Sequence, residues 1–399
     1  MDLLEQISPQ FILFFILYGV TGAVPLIAAL YLLLRRGNAI APGITPPVRL
    51  RRWAASFFAM AALGHVWWYL LYVYSRDLMS MDGVVHSAGY VAVAVLDCVT
   101  LLTTLAGTLL SMLQDRRRPM WPVFVAMLPF VALGGVLMVH PSQQAMLIAE
   151  VYVLLLYALF TVYMVFAVRR YGRWLNDNYA DLENKKVWLC QVVTLACLLL
   201  FILYTLVDID TTLLIFLLHF TELVLFGLLL WRVETLPQLE DNSLTPNPSP
   251  KSEGSEYPQG QERTEELSTP LALRRGGGGQ APINIDLAQI ERLLAEHCVG
   301  TQLYLQHDLT VHQLALAIGT NRLYLNQYFS RQGITYNTYI NNLRINHFIS
   351  RYQEAAQAGQ PFTAQQLASE SGYRSYSTFS LAFKQRTGQS VTAWMRDSD

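Results

Sequence analysis

Amide, hydroxyl and guanidinium side chains recur in two short stretches near the C-terminus of this 399-residue chain. The first stretch contains Asn321, Arg322, Asn326, Gln327 and Arg331. The second contains Ser375, Tyr376, Ser377, Ser380, Lys384 and Arg386. Arginine can grip guanine, and asparagine or glutamine can grip adenine, through paired hydrogen bonds in a major groove. Because neither stretch contains an acidic residue, both suit a groove lined by phosphates.

The first stretch follows a helical pattern that a glycine interrupts. Asp308 or Thr310 can cap a helix, and Gly319 then breaks it. The apolar residues of this helix recur at helical spacing and are Val311, Leu314, Ala315 and Ile318. Asn321 can cap the next helix, whose polar face holds the first stretch.

The second stretch repeats this plan. Thr363 can cap a helix that carries Leu367, Gly372 turns the chain, and the second candidate reading helix begins at Ser375. The apolar face of this helix consists of Phe379, Ala382 and Phe383. One short helical hairpin with a glycine is a weak signal, whereas two in succession favour a pair of helix-turn-helix units.

The tandem pattern resembles the AraC family over the last quarter of the chain. The matching residues are Leu314-Ala315, Tyr324-Leu325, Phe329, Gly333, Tyr339-Ile340, Leu343-Arg344-Ile345, Leu367-Ala368, Ser371-Gly372-Tyr373, Ser375, Phe379, Phe383-Lys384 and Thr387-Gly388. The resemblance implies a DNA-binding domain over residues 283–399, with units near 309–332 and 363–386 and a joining helix near 336–358. It also implies that both reading helices enter successive major grooves. Ser390-Val391 departs from the usual Thr-Pro of the family and leaves base preference open.

Side-chain chemistry suggests which residues touch bases and which touch phosphates. The residues that we assign to base contacts are Arg322, Asn326, Gln327, Tyr376 and Ser377. Those assigned to phosphates are Arg331, Lys384 and Arg386. The alternative interpretation of each is an ordinary solvated helix face.

The positive charge that supports DNA binding is local, because the whole chain has a formal net charge of -1. Between Thr310 and Met395 the basic residues are Arg322, Arg331, Arg344, Arg351, Arg374, Lys384 and Arg386. Only Glu354 and Glu370 oppose them. This modest excess predicts that affinity depends on well-placed contacts, on dimerisation or on a high local concentration.

The chain before this region is too apolar for an ordinary soluble protein, since 53% of all residues are hydrophobic and 14% are charged. Seven segments reach the roughly 20 residues that a bilayer crossing needs. They are Phe11 to Leu34, Trp53 to Tyr74, Val84 to Met112, Met120 to Val139, Met146 to Val168, Val187 to Val207 and Thr211 to Trp231. We therefore predict an all-α fold, with a seven-helix transmembrane bundle over residues 1–234.

The placement of basic residues predicts the orientation of this bundle. The first, third and fifth loops hold Arg35, Arg36, Arg49, Arg51, Arg52, Arg116, Arg117, Arg118, Arg169, Arg170, Arg173, Lys185 and Lys186. The even-numbered loops hold only Arg76. The positive-inside rule then places the N-terminus outside and the C-terminus in the cytoplasm. This predicts a multi-pass protein of a bacterial inner membrane with its DNA-binding domain inside.

A segment rich in Pro, Ser, Gly and Glu joins the two parts. Residues 235–282 cannot bury enough apolar surface to fold, so we predict a disordered linker. A flexible coil of this length spans on the order of 40 Å. Such a tether argues against rigid transmission and favours a change in oligomeric state as the output. The amphipathic helix that follows, Asn284 to Cys298, could pack within the DNA-binding domain or pair two chains.

Four ionisable residues fall deep within the apolar segments, where they are costly. They are His65, Asp97, His219 and Glu222. One interpretation is a pocket for a small ligand or a proton, and the alternative is that these side chains hydrogen-bond neighbouring helices. No pair has a compact ligand spacing, so we predict no metal site. Phosphate-cradling loops and nucleophile motifs are also absent from the sequence, so we predict neither a cofactor nor an enzyme.

These patterns together favour a membrane-bound one-component transcription regulator. In one alternative the bundle only anchors the regulator, and in another a transporter or membrane enzyme carries a regulatory tail. Candidate partners are double-stranded DNA, the lipid bilayer, a small-molecule ligand, a second copy of the chain and RNA polymerase.

Overall fold

The computed structural model describes residues 9–35, 37–76, 88–140, 142–206, 211–239, 287–359 and 361–398. These residues form helices and turns without a β-strand, apart from one isolated bridge between Tyr179 and Thr310. The predicted all-α fold is therefore confirmed. Most of the predicted linker, residues 240–282, lies outside the described residues.

Among the residues that the structure describes, seven apolar helices form the N-terminal bundle. They are α1 (Pro9–Leu34), α2 (Val48–Arg76), α3 (Ala88–Ser111), α4 (Trp121–Val139), α5 (Gln143–Asn178), α6 (Trp188–Leu206) and α7 (Thr211–Thr235). By length and composition, six of the described helices can cross a membrane. The remaining one, α6, has a shorter apolar stretch at Trp188–Phe201. Each of the seven predicted segments overlaps one of these helices.

Close packing within the bundle depends on small residues. Helix α2 packs against α1 and α3, and α7 packs against α1, α2 and α6. A Cβ atom at Gly107 of α3 would lie 2.3 Å from the Trp53 ring of α2, so the two helices approach closely only because this residue is glycine. Gly134 of α4 meets Val95 of α3 in the same way. Small residues at such interfaces strengthen van der Waals packing where water supplies no driving force.

The outer surface of the bundle is apolar. Large exposed side chains on it include Leu128, Leu159, Phe166 and Phe220. An exposed apolar surface that encloses a bundle is compatible with contact to lipid.

Helix α5 is longer than a membrane crossing requires. Its 36 residues give a length of about 54 Å, against a hydrocarbon core of about 30 Å. The apolar sequence gives way to Arg169 and Arg170, and the helix continues to Asn178. Tyr171 and Trp174 stack in this extension, with ring centroids 5.8 Å apart. The extension therefore continues past the apolar part of α5 before the chain turns back into α6.

The remaining helices form the C-terminal unit. They are α8 (Leu287–Leu294), α9 (Val311–Ala317), α10 (Arg322–Arg331), α11 (Tyr336–Gln357), α12 (Ala364–Glu370), α13 (Tyr376–Thr387) and α14 (Val391–Ser398). A π-helical turn, Ala295–Val299, extends α8, and a 3-10 turn follows at Leu303–Leu305.

Local signals start and stop these helices as the sequence predicts. Thr310, and not Asp308, caps α9 through a capping box with Gln313. The predicted caps of α10, α12 and α13 are also confirmed, and they are Asn321, Thr363 and Ser375. Gly319 and Gly372 adopt positive φ angles of 71° and 88°, which favour glycine in the turns after α9 and α12.

Helix α11 joins two apolar cores within the C-terminal unit. Its first half contributes Ile340 to a core shared with α8, α9 and α10. Its second half contributes Phe348 to a core shared with α12, α13 and α14. Ile290 and Leu294 of α8 are buried in the first core, so the amphipathic helix packs within its own chain.

We expect Gly372→Ala to loosen the C-terminal unit more than Gly359→Ala does. Both residues have positive φ angles, where a side chain costs about 1–2 kcal/mol. A Cβ atom at Gly372 would additionally lie 2.7 Å from the backbone oxygen of Leu305, whereas Gly359 faces open space. Hydrogen–deuterium exchange of the full chain, read in peptides from α11, measures the difference. Equal exchange in the two variants would contradict the expected clash.

Candidate functional site

The polar side chains of α10 remain available on its surface. Arg322, Asn326 and Gln327 are partly exposed, and Arg331 is exposed. Among the described residues, no side-chain hydrogen bond or ion pair holds Arg322, Asn326 or Gln327. Leu325 faces inward and is fully buried. Helix α10 therefore keeps three base-reading side-chain types partly exposed to solvent.

Helix α13 presents a second such face. Its exposed candidates are Tyr376, Ser377, Lys384 and Arg386, and Ser380 is partly exposed. Arg386 also donates hydrogen bonds to the backbone oxygen of Asn342 and, at 2.5 Å, to Oδ1 of Asn346. Because both acceptors belong to α11, Arg386 fixes α13 on the joining helix while it keeps its charge at the surface.

Two of the predicted contact residues cap the helices that they precede. Asn321 Oδ1 accepts a hydrogen bond from the Tyr324 backbone N–H at 3.0 Å. Ser375 Oγ accepts one from the Thr378 backbone N–H at 3.3 Å. Their side-chain oxygens thus stabilise the first turns of α10 and α13, which are the turns that approach bases in helix-turn-helix proteins.

The surface of the C-terminal unit is less basic than its sequence suggests. Arg374 forms an ion pair of 2.8 Å with Asp308, and Arg351 pairs with Glu354 at 2.8 Å. Arg344 is fully buried. A count of charges along the sequence includes these three arginines, but their charge is matched within the fold.

The loop that connects α5 and α6, residues 179–187, inserts into the C-terminal unit. We call it the docking loop. Tyr179 pairs with Thr310, and the Ala180 N–H donates to the Leu309 oxygen at 3.1 Å. Ala180 is buried in the first apolar core, among side chains of α8 to α11. Asn337 of α11 donates to both Tyr179 and Ala180 backbone oxygens.

A buried ion pair anchors the docking loop. Nη1 of Arg344 lies 2.9 Å from Oδ1 of Asp181, and the two side chains are 0% and 5% exposed. The Arg344 guanidinium also donates to the backbone oxygens of Tyr304 and Gln306, both at 2.7 Å. Asp181 Oδ2 accepts from the Asp308 N–H at 2.7 Å. The guanidinium of Arg344 therefore donates both to the Asp181 carboxylate and to two backbone carbonyl oxygens.

Burial also sets the protonation of nearby groups. Desolvation raises the pKa of Tyr336 well above its ordinary value, so its hydroxyl stays protonated and donates to the Leu309 oxygen at 3.1 Å. Desolvation likewise raises the pKa of Cys298 to about 12, which keeps the thiol protonated.

The bundle holds the same loop from the other side. Nη2 of Arg232, near the end of α7, donates to the backbone oxygens of Asn184 at 2.9 Å and Lys186 at 2.8 Å. Lys185 Nζ reaches Asp308 Oδ1 at 3.1 Å. The docking loop therefore lies between α7 of the bundle and the start of α9.

An acidic side chain of the docking loop touches α13. Glu183 Oε2 lies 3.3 Å from the Thr378 hydroxyl, which donates to it. Thr378 belongs to the first turn of α13, beside the exposed candidates Tyr376 and Ser377. A carboxylate at this position opposes the approach of a phosphate backbone.

Several loops with basic residues meet at the end of the bundle that carries the docking loop. Arg49, in the first turn of α2, donates to the Arg118 backbone oxygen at 2.6 Å, which joins the start of α2 to the α3–α4 loop. Gln114 donates to the Pro237 oxygen at 3.0 Å, next to the end of α7. The loops that the arginine pattern groups together thus lie at one end of the bundle.

Three of the four predicted membrane residues come together in the bundle. Oε2 of Glu222 lies 3.1 Å from Nδ1 of His219 and 3.8 Å from Nε2 of His65. The Thr21 hydroxyl of α1 lies 3.0 Å from His65 Nε2 and 3.2 Å from His219 Nδ1. These four residues join α1, α2 and α7, and we call them the membrane cluster.

Asp97 lies beside the membrane cluster and makes different contacts. Its Oδ2 accepts a hydrogen bond from the Trp68 indole at 3.2 Å. A Cβ atom at Gly64 would lie 2.6 Å from Asp97 Oδ1, so this carboxylate packs directly on the backbone before His65. Of the four ionisable residues, the structure thus brings His65, His219 and Glu222 together and places Asp97 next to them.

Sequence reasoning missed Thr21, Asp181 and Glu183. Thr21 lies in an apolar helix where a single hydroxyl has no distinctive pattern. Asp181 and Glu183 interrupt an otherwise basic loop, and that change of sign was an available signal. Arg344 was assigned to the DNA-binding charge, although its burial removes it from the surface.

We expect Asp181→Asn to destabilise the C-terminal unit by about 3–5 kcal/mol, because it leaves the Arg344 charge buried without a countercharge. The matched control is Glu354→Gln, which removes an exposed partner of Arg351 and should cost about 0–1 kcal/mol. Hydrogen–deuterium exchange of α11 in the full chain measures both. If the two variants exchange alike, the buried pair does not stabilise the unit.

A family profile described as Helix-turn-helix domain matches residues 314–397, from α9 into α14. No curated protein and no solved structure matches the chain. The matched residues contain both exposed polar faces, on α10 and α13. The chain thus carries a helix-turn-helix domain of the AraC type, which points to DNA binding and to regulation of transcription.

Proposed function

We propose that the protein is a membrane-bound one-component transcription regulator, in which residues 1–234 detect a signal and residues 283–399 bind specific DNA. The observation that carries this proposal is the docking loop. It is part of the bundle chain, yet its Ala180 and Asp181 complete the core of the AraC-type domain. A regulator whose two parts share a core has a direct physical route between signal and DNA.

The proposed DNA contact uses two helix-turn-helix units, α9 with α10 and α12 with α13. Helix α11 joins them, and its 22 residues measure about 33 Å. Successive major grooves on one side of DNA lie roughly 34–36 Å apart. This match supports the placement of α10 and α13 in neighbouring grooves.

The proposed topology has seven spans, an outer N-terminus and a cytoplasmic DNA-binding domain in a bacterial inner membrane. Six helices support it by length and composition, and α6 would be the seventh span. The meeting of basic loops at the docking-loop end supports the orientation. Lipid is then one partner and double-stranded DNA the other.

Transmission through the docking loop replaces a change of oligomeric state as the favoured mechanism. The earlier expectation rested on a flexible linker as the connection between the two parts. Helix α7 instead holds the loop through Arg232, and the loop holds α11 through Asp181. A movement of α7 can therefore alter the position or stability of the C-terminal unit without a second chain.

This contact favours sensing over simple anchoring. An inert anchor requires only a covalent tether, whereas Lys185 and Asp181 of the docking loop engage Asp308 and Arg344 of the C-terminal unit. A coupled sensor explains why a bundle loop supplies the countercharge of a DNA-binding domain. Regulators of this class need no catalytic step, so we propose no enzymatic activity.

The proposed function is tested with the full chain in lipid nanodiscs, because an isolated C-terminal fragment would lose Asp181. Selection from a random DNA library at physiological salt should enrich one sequence motif. For that motif, Arg322→Ala should weaken binding by about 1–3 kcal/mol and relax preference at one position, as loss of a base contact does. Lys384→Ala should weaken binding to all sequences and reduce the salt slope by about 1.

Arg396→Ala is the charge-matched control, since Arg396 lies outside both reading helices, on α14, and its side chain is 80% exposed. It should leave motif preference unchanged. A selection that enriches no motif would overturn the proposed function. Equal effects of the Arg322 and Arg396 substitutions would overturn the assignment of α10 as a reading helix.

We expect Glu183→Gln to strengthen DNA binding by the full chain. The substitution removes the negative charge of the docking loop that lies against the first turn of α13. At about 4 Å in water, the interaction of one such charge with a phosphate is worth about 1 kcal/mol, or roughly fivefold in affinity. The gain should shrink at high salt, where exposed charges are screened. Glu354→Gln is the matched control and should give no gain. A salt-independent effect would argue for a change in folding instead.

A further inference from the structure

The membrane cluster offers three atoms of the kinds that bind metal ions. Nε2 of His65, Nδ1 of His219 and a carboxylate oxygen of Glu222 all lie within 4.8 Å of one another. Donors around a tetrahedral zinc ion lie roughly 3.3 Å apart, since each is about 2.0–2.2 Å from the metal. The separations of 3.1 Å and 3.8 Å from the Glu222 oxygen bracket this value. Small side-chain movements would bring all three donors to one ion.

The hydrogen bonds of His65 prepare it for this role. Its Nδ1 lies 2.9 Å from the Ala61 backbone oxygen, which can only accept, so Nδ1 carries the proton. In this neutral tautomer the lone pair of Nε2 is available and faces His219 and Glu222. Histidines that ligate metals characteristically donate their other ring N–H to a carbonyl or carboxylate in this way.

Helix α1 holds the His65 ring in place. The Tyr18 hydroxyl donates to the His65 backbone oxygen at 2.6 Å, and the two ring centroids are 5.0 Å apart. A Cβ atom at Gly22 would lie 3.4 Å from His65 Cβ and Cγ, so α1 packs against the imidazole directly. A donor that is already oriented loses little freedom when an ion binds.

We infer that His65, His219 and Glu222 bind a divalent transition-metal ion of the zinc type. Two imidazoles and one carboxylate favour such ions, whereas magnesium and calcium prefer oxygen donors alone. The ion would take the place of the hydrogen atom between His219 Nδ1 and Glu222 Oε2, which lie 3.1 Å apart. The Thr21 hydroxyl oxygen lies 3.0 Å from His65 Nε2 and 3.2 Å from His219 Nδ1, where it is placed to supply a fourth donor. This inference differs from the expectation, drawn from sequence spacing, that the chain has no metal site.

The surroundings suit the charge of such an ion. One carboxylate leaves a divalent ion with one positive charge, which is costly in an apolar layer. Asp97 packs on Gly64, next to His65, and places a second carboxylate close to the site. The Glu222 and His65 side chains are 26% and 14% exposed, so the cluster is not sealed inside the bundle.

The inference that this ion is the signal rests on the proposed function. The inference that the ion binds at this site does not. The ion would tie α2 to α7, and α7 carries Arg232, which holds the docking loop. Metal occupancy would then change the position of the loop and, through Asp181, the C-terminal unit.

The test uses the full chain, purified through a tag without histidine, stripped with a chelator and titrated with Zn²⁺. We expect one tight equivalent per chain. Affinity should fall more than tenfold in His65→Ala and in Glu222→Gln. The control His140→Ala removes an exposed histidine at the end of α4 and should leave binding unchanged. Absence of a tight equivalent, or its retention in both cluster variants, would overturn the inference.

A second measurement guards against loss of binding through misfolding. Cobalt(II) bound to His65→Cys should show a sulfur-to-cobalt charge-transfer band that the wild-type chain lacks, because residue 65 would then supply a thiolate. His140→Cys is the matched control and should show no such band. Absence of the band in a His65→Cys chain that still binds cobalt would also overturn the inference.

The outcomes separate the two proposals. Selection of a DNA motif without tight metal binding removes the metal site and leaves the regulator. One tight zinc equivalent without motif selection keeps the metal site and removes the regulator. If the chain both selects a motif and binds zinc tightly, its affinity for the motif is compared between the stripped and the zinc-loaded form. Equal affinities would show that the ion is not the signal.

Discussion

The buried pair of Arg344 and Asp181 is the interaction on which the arrangement of the two parts depends. Arg344 lies on α11 between two apolar cores, and its side chain is fully buried. A buried guanidinium without a countercharge is strongly destabilising, so α11 holds this position only while the docking loop supplies Asp181. The C-terminal unit is therefore completed by a segment that belongs to the bundle.

Helix α7 connects this docking loop to the membrane cluster. One end of this helix binds the docking loop through Arg232, and its middle carries His219 and Glu222. The membrane cluster and the C-terminal unit are thus connected through one rigid element and one short loop. Two distant sites are coupled when the elements between them switch between two arrangements. In the proposed mechanism, occupancy of the membrane cluster would switch α7 and the docking loop.

Local features of the C-terminal unit could be predicted from the sequence because they depend on neighbours within one helical turn. Thr363 caps α12 through the backbone three residues ahead, and the apolar spacing of α13 places Phe379 inward. Arg344 shows where this reasoning stops. Its residue type suggests a surface charge, but its burial depends on Asp181, which is 163 positions away.

The sequence by itself determined the helices, their caps, the apolar segments and the polar faces of α10 and α13, because hydrophobic period and capping are local properties. Only the tertiary structure decided which distant side chains meet. Thr21 and His219 are 198 positions apart, and their contact follows from how α1 packs against α7. Insertion of the docking loop beneath α11 is equally non-local. Such contacts arise from the packing of whole helices, which no short pattern of residues encodes.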